Sequence, residues 1–275
     1  MEWFVTANSL VSVPLGQLLL AFAMCLAISA LGFWRVDYFV SLGYAFSILA
    51  QAVVFTAFYW PSDLLLLGLP LLLAAYGLRL GTFLIRREAQ PSFERERIAS
   101  AKRGVRVKGG VRLAIWVSVS ALYVLMFSPA LFALTEGQAS PPLVIGLVIM
   151  LMGLGIEGAA DGQKSRFKAA NPAAFCNVGL FAIVRSPNYF GEMLFWLGAF
   201  IAGLADYRLP LDWLMAGAGL VVIELIMLGA ARRLELKQTE RYGADPAFQA
   251  YVRHVPILFP LIPLHSLRRL RIYLG

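Results

Sequence analysis

The chain has 275 residues, 60% of them hydrophobic and only 15% charged, with a mean hydropathy of +0.73. Soluble domains run near half apolar and a quarter charged, so this composition excludes one and points to an all-α, multi-pass membrane protein. Lys and Arg outnumber Asp and Glu by 24 to 16, a net charge of +8. Their clustering fits the positive-inside rule and anionic lipid, not nucleic acid.

A spanning helix needs about 20 apolar residues. Apolar runs closed by Pro, Gly or charge predict seven, near residues 10–34, 37–60, 63–85, 112–135, 141–158, 188–205 and 211–231. The first run is too long for a signal-peptide core, so it reads as a span, with the mature chain starting at or near Met1. Nine cations lie between Arg86 and Arg112, four between Lys164 and Arg185, and eight from Arg232 to Arg271. Seven spans with the N-terminus outside and the C-terminus cytoplasmic put these three segments, 21 of the 24 cations, on one side. One domain is expected, ending in an interfacial tail from Gly243 that carries Pro246, Pro256, Pro260 and Pro263. Cys25 and Cys176 suggest no disulfide framework, and His254 and His265 lack ligand spacing, so no metal is expected.

A charge at the centre of a span costs about 3 kcal/mol and usually faces a cavity or a partner. Arg79 sits in the third span, one turn after Tyr76 on the same face. Glu157 and Asp161 end the fifth span, Glu192 opens the sixth and Glu224 interrupts the seventh; for Glu224 alone a structural ion pair or snorkelling suffices. The densest polar cluster runs from Glu157 through Asp161, Gln163, Lys164, Arg166 and Lys168 to Asn177, then Arg185, Asn188, Tyr189 and Glu192. Carboxylates, amides and cations mixed in this way suit a ligand bearing both phosphates and hydroxyl or amide groups. Gly153-Leu154-Gly155-Ile156-Glu157-Gly158 fits G-x-G-x-x-G but closes a spanning helix instead of following a strand. Its glycines are expected to pack helices, as are Gly77 and Gly81.

The run Asp161-x-Gln163-Lys164-x-x-Phe167, then Gly179-Leu180-Phe181, then Arg185-Ser186-Pro187-Asn188-Tyr189-Phe190-Gly191-Glu192 with Trp196, resembles the steroid 5-alpha-reductase family. Leu234-Glu235, Arg241-Tyr242-Gly243, Tyr251-x-Arg253 and Pro256 extend the likeness, which covers roughly the last 120 residues, and Tyr76-x-x-Arg79 adds to it. The resemblance implies a membrane enzyme that uses NADPH to reduce the 4,5 double bond of 3-oxo-4-ene steroids. Residues 1–135 would form the substrate side and residues 141–275 mainly the cofactor half. Asp161 and Asn188 would then bond the nicotinamide and ribose end, with Glu157 a further polar contact. Lys164, Lys168, Arg86, Arg87, Arg95 and Arg97 become candidates for the phosphates, and Arg79 for the diphosphate or amide. Arg185 and Tyr189 are taken as further cofactor contacts, while Glu192, Glu235, Tyr242 and Arg253 match motif positions, either touching the cofactor or pinning loops over it.

The family's second-helix Gln-Glu pair is missing here. Asp37, Tyr38, Tyr44 and Gln51 are the polar substitutes; Asp37, the one acid among them, is taken as partner of Tyr76 in the catalytic pair. Hydride would reach the enone beta carbon while Tyr76 polarises the carbonyl. The substrate is expected to be a hydrophobic steroid or enone lipid arriving from the bilayer, the protein a monomer, and the membrane a bacterial inner membrane in preference to the endoplasmic reticulum. A rival reading is an S-adenosylmethionine-dependent methyltransferase of isoprenylcysteine or phospholipid, whose Arg-x-Pro-x-Tyr-x-Gly segment Arg185 to Gly191 also matches. A non-enzymatic sterol binder would leave the polar cluster without a purpose.

Overall fold

A computed structural model describes residues 10–61, 63–90, 94, 98 and 107–270, which form helices and no strand. In chain order these are α1 (Leu15–Ser29), two 3₁₀ turns (Ala30–Phe33 and Val36–Phe39), α2 (Leu42–Tyr59), α3 (Leu64–Glu88) and α4 (Gly109–Glu136). They continue as α5 (Pro141–Ala170), a single turn α6 (Leu180–Ile183), α7 (Pro187–Ala202), α8 (Pro210–Tyr242) and α9 (Pro246–His254). Local chemistry sets the ends. The Asp63 carboxylate caps α3 by accepting Leu65 N at 2.8 Å, and Asp245 caps α9 through Ala247 N at 2.8 Å. Gly137, at φ +71°, takes the left-handed conformation that closes α4.

Among the described residues six stretches are long and apolar enough to cross a membrane: Leu15–Phe33, Val36–Tyr59, Leu64–Glu88, Gly109–Glu136, Pro141–Ala170 and Pro210–Tyr242. The protein is thus a multi-pass helical membrane protein. The segment expected as a further span is α7, whose 16 residues reach about 24 Å, short of the ~30 Å hydrocarbon layer. Two helices outrun their apolar stretches. α5 continues twelve residues past 158, because Ala, Gln, Lys and Arg are good helix formers, and stops at Asn171-Pro172. α8 likewise continues to Tyr242 and stops at Gly243. Lys164 and Lys168 therefore stand on the same helix as Glu157 and Asp161, beyond the end expected for it near 158.

The chain forms two compact units, Met1–Leu147 with Ala199–Leu220, and Val148–Gly198 with Val221–Gly275. In the first, α2 and α3 approach almost backbone to backbone: a Cβ on Gly77 would lie 2.5 Å from Ala45 O. The Ser29 and Ser120 hydroxyls meet at 2.8 Å between α1 and α4, and Trp116 Nε1 donates to Leu26 O at 2.9 Å. In the second unit the tightest approach joins α5 to α7. A Cβ on Gly153 would sit 2.6 Å from Gly191 O, and one on Gly191 would sit 2.7 Å from Gly153 O. Gly153 accordingly packs a helix, as its place in a spanning segment implied.

Candidate functional site

Around Tyr76 the first unit builds a neutral polar centre. The phenol is fully buried and shares a hydrogen bond with the Tyr44 hydroxyl at 2.9 Å. Tyr44 stacks on Tyr123 with ring centroids 5.4 Å apart, and Tyr123 donates to Phe39 O at 2.5 Å. Gln51, two turns along α2 from Tyr44, donates Nε2 to Ser47 O at 3.2 Å and Tyr123 O at 3.3 Å. Those two carbonyls orient the amide, and its buried Oε1 is left without a hydrogen-bond partner. Tyr123 was not foreseen. Nothing in its local sequence distinguishes it from other spanning residues, and only the packing of α2 against α4 brings it in.

Asp37 lies elsewhere. It pairs at 3.9 Å with Arg35, which reaches Glu88 at 3.1 Å, while Tyr38 donates to the same Glu88 oxygen at 2.7 Å. Glu88 is twelve residues beyond Tyr76 on α3, about 18 Å along the helix. The side chain that meets Tyr76 is thus Tyr44, and Asp37 belongs to an ionic cluster at the far end of α3. Arg79 is half-buried one turn from Tyr76, Arg86 is exposed, and Arg87 is half-buried against the Phe83 ring at 5.8 Å. Arg95 and Arg97 lie outside the described residues.

In the second unit the helical register gathers the predicted cofactor residues. Gly153, Glu157, Asp161, Lys164 and Lys168 recur at intervals of four, four, three and four along one face of α5; on α7 Asn188, Gly191 or Glu192, and Phe195 follow one another at three or four. The two faces cross at the glycines, which brings Gly191 against the Glu157 backbone. Glu157 and Glu192 are buried, Asp161, Lys164, Asn188 and Tyr189 half-buried. The Asn188 Oδ1 atom is buried with no hydrogen-bond partner.

Other predicted residues form the frame. Arg185 and Glu235 are buried to 2% and 3% exposure and pair at 3.7 Å. Glu235 also accepts Leu267 N at 2.9 Å and faces Arg268 at 3.6 Å. Burial pushes the Arg185 guanidinium down in pKa, opposed by Glu235. Lys168 donates to Tyr242 Oη at 2.7 Å and to Ala174 O, and Gln163 Oε1 accepts Leu180 N at 2.9 Å where Gly179 turns at φ +59°. Tyr251 donates to Phe181 O at 2.6 Å, while Arg253 is exposed on α9. Arg185, Glu235, Lys168 and Tyr242 are thus engaged with one another and with backbone carbonyls of the same unit.

A family model described as a protein of unknown function, DUF1295, matches residues 10–255. The chain belongs to the DUF1295 family. This is a steroid 5-alpha-reductase-like family of membrane proteins, and its description names no activity. No curated protein and no solved structure matches the chain. Within the DUF1295 match lie both the Tyr44–Tyr76 centre and the crossing of α5 with α7.

Proposed function

We propose that this DUF1295 protein is an NADPH-dependent membrane reductase of the 4,5 double bond of 3-oxo-4-ene steroids or a similar enone lipid. The observation that carries the reading is the buried, unsatisfied Asn188 Oδ1 in the first turn of α7, the helix whose Gly191 packs on the Glu157 backbone and whose Glu192 is buried. A buried acceptor without a donor costs about 1–3 kcal/mol. A nicotinamide carboxamide brings N–H donors and a ribose brings hydroxyls, so a patch built of acceptors fits that end of the cofactor. Bound there, NADPH would supply the hydride. Lys164 is the cation of this unit proposed for its phosphates; Lys168, already donating to Tyr242, supports the frame.

On the substrate side Tyr76 would hydrogen-bond the carbonyl oxygen as negative charge develops there, in surroundings too apolar to screen the interaction. Tyr44 takes the partner role expected of Asp37, since its hydroxyl can donate to Tyr76 as Tyr76 releases its proton. The substrate is a hydrophobic enone dissolved in the bilayer, and the membrane a bacterial inner membrane. We also read α7 as a seventh span, with the N-terminus outside and the C-terminus cytoplasmic. Supporting this is the Arg185–Glu235 pair, which joins the residues before α7 to the polar end of α8, as two successive crossings would require.

The test is thermal stabilisation of the detergent-purified protein by NADPH, NADH and S-adenosylmethionine in parallel. NADPH is expected to stabilise it, and Asn188→Ala to weaken NADPH binding by about tenfold to a hundredfold. Asp161→Ala should act in the same direction. Stabilisation by S-adenosylmethionine with no response to NADPH would replace the reductase by the methyltransferase.

A further inference from the structure

Beyond α9 the tail is tied at several points to the helix ends of the second unit. Arg185, two residues before α7, donates its backbone N–H to Pro256 O at 2.9 Å and its guanidinium to His265 O. Glu235, one turn past the Arg232-Arg233 pair that closes the apolar run of α8, accepts Leu267 N at 2.9 Å. Phe259 packs edge-on against Phe190 in the first turn of α7, with ring centroids 6.2 Å apart. Each tie falls within about a turn of where an apolar helical stretch begins or ends, so the tail lies at the level of a membrane interface.

Within it, Ile257 N donates to Leu264 O at 2.8 Å and closes the base of a loop, residues 259–264, that Leu264 N tightens by donating to Ile262 O at 2.7 Å. The tip is apolar and uncovered: Leu261 is 95% exposed and Ile262 54% exposed. Pro260 and Pro263 flank these two residues and have no N–H, which reduces the backbone donors that lipid would leave unsatisfied. No acid follows Asp245 in the sequence, whereas Arg253, Arg268 and Arg269 are exposed in the described tail. Apolar tip and cationic flanks together match an anionic lipid interface, the apolar residues for the acyl boundary and the cations for headgroups.

We propose that residues 259–264 form a finger that inserts Leu261 and Ile262 into the interfacial layer of the bilayer the chain itself spans, with Arg253, Arg268 and Arg269 on anionic headgroups. The proposal does not rest on the reductase reading, and its test uses neither NADPH nor substrate. Full-length protein carrying Leu261→Cys, Ile262→Cys or, as a control on the exposed part of α9, Ala250→Cys is labelled with an environment-sensitive NBD maleimide. It is then placed in nanodiscs of phosphatidylcholine alone or mixed with phosphatidylglycerol. Native Cys25 and Cys176 are buried, and the unsubstituted protein gives their background.

At positions 261 and 262 the emission is expected to be blue-shifted and quenched several-fold more by doxyl-labelled lipid than at position 250, more so with phosphatidylglycerol. Water-like emission at both tip positions would overturn the proposal. So would a blue shift without doxyl quenching, which would put the tip against protein. Two independent tip positions guard against one variant failing to fold.

Discussion

At the centre of the first unit the buried polar side chains are neutral. Tyr44, Tyr76, Tyr123, Ser29 and Ser120 satisfy one another or a backbone carbonyl, and Gln51 donates to two carbonyls while its Oε1 stays without a partner. In the second unit they are charged, and the Arg185–Glu235 pair at 3.7 Å is sealed by the tail that donates Leu267 N to it. The contrast follows from the cost of transfer from water. A hydroxyl in an apolar bundle needs a single partner, whereas a buried carboxylate needs a counter-charge and its remaining lone pairs filled as well. A neutral centre can therefore exchange one partner for a substrate carbonyl at small cost, and an ionic clasp cannot open without loss of the fold around it.

The largest effect should come from breaking the clasp. Glu235→Ala leaves the Arg185 guanidinium buried without its counter-charge and Leu267 N without its acceptor, a loss of about 3–5 kcal/mol. A steep fall in the melting temperature of the detergent-solubilised protein would show it, and Arg185→Met combined with Glu235→Leu should recover much of the loss. An unchanged melting temperature for Glu235→Ala would mean that the clasp is ornamental and that the two units do not differ as described.

Next in size is the neutral centre. If it does the chemistry, Tyr76→Phe should lower kcat for an enone steroid by about 10²- to 10³-fold, the cost of one lost oxyanion donor, with little change in stability. Tyr44→Phe should cost about tenfold in kcat with KM unchanged, and Asp37→Asn about twofold or less, because its pairing with Arg35 is half-exposed. Steady-state kinetics on the three variants orders them. Asp37→Asn emerging as the most damaged would restore the acid to the catalytic pair.

A smaller effect probes the crossing of α5 and α7. Gly191→Ala puts a methyl 2.7 Å from Gly153 O and the Glu157 N atom, backbone that cannot swing aside. The helices must separate, at about 1–3 kcal/mol. The separation should weaken NADPH binding as well, since the same crossing holds the helix that carries Asn188 against the Glu157 backbone. Gly155→Ala, with no atom within 4 Å of its Cβ, is the control, and isothermal titration with NADPH on both variants separates crossing from glycine content.

What the sequence made legible follows the same divide. Hydropathy located six of the seven expected spans, because that signal is local, whereas the common face of Glu157, Asp161 and Lys164 exists only because α5 runs on to Ala170. Helix ends were misplaced wherever hydropathy stood in for them: α5 and α8 run on past their apolar stretches, since polarity marks the edge of the membrane and Ala, Lys, Gln and Arg still favour helix. Asp37 was chosen because it is an acid. Its neighbours are Arg35 and Glu88, and the partner of Tyr76 is a tyrosine, a pairing set by the crossing that Gly77 permits. Tertiary contact between neutral groups leaves no periodic trace.

The smallest effect is a pH dependence at the turn before α8, where the first unit does hold charge. Asp206 is buried beside Glu136 and Arg208. Burial raises its carboxyl from the ordinary 3.8 to about 6; Glu136 adds to the rise and Arg208 opposes it. Between those two pH values the folded chain keeps a proton that the unfolded chain has released. The contribution of Asp206 to stability thus falls as pH rises from about 4 to 6 and is flat above. Asp206→Asn mimics the protonated form. Its melting temperature should exceed that of the unsubstituted protein at pH 7 and converge with it below about pH 3.8, which isolates this residue from the other carboxylates titrating in the same range. A difference that stays constant across the range would mean that Asp206 ionises freely in the folded chain, and burial alone would then not distinguish the charged turn from solvent.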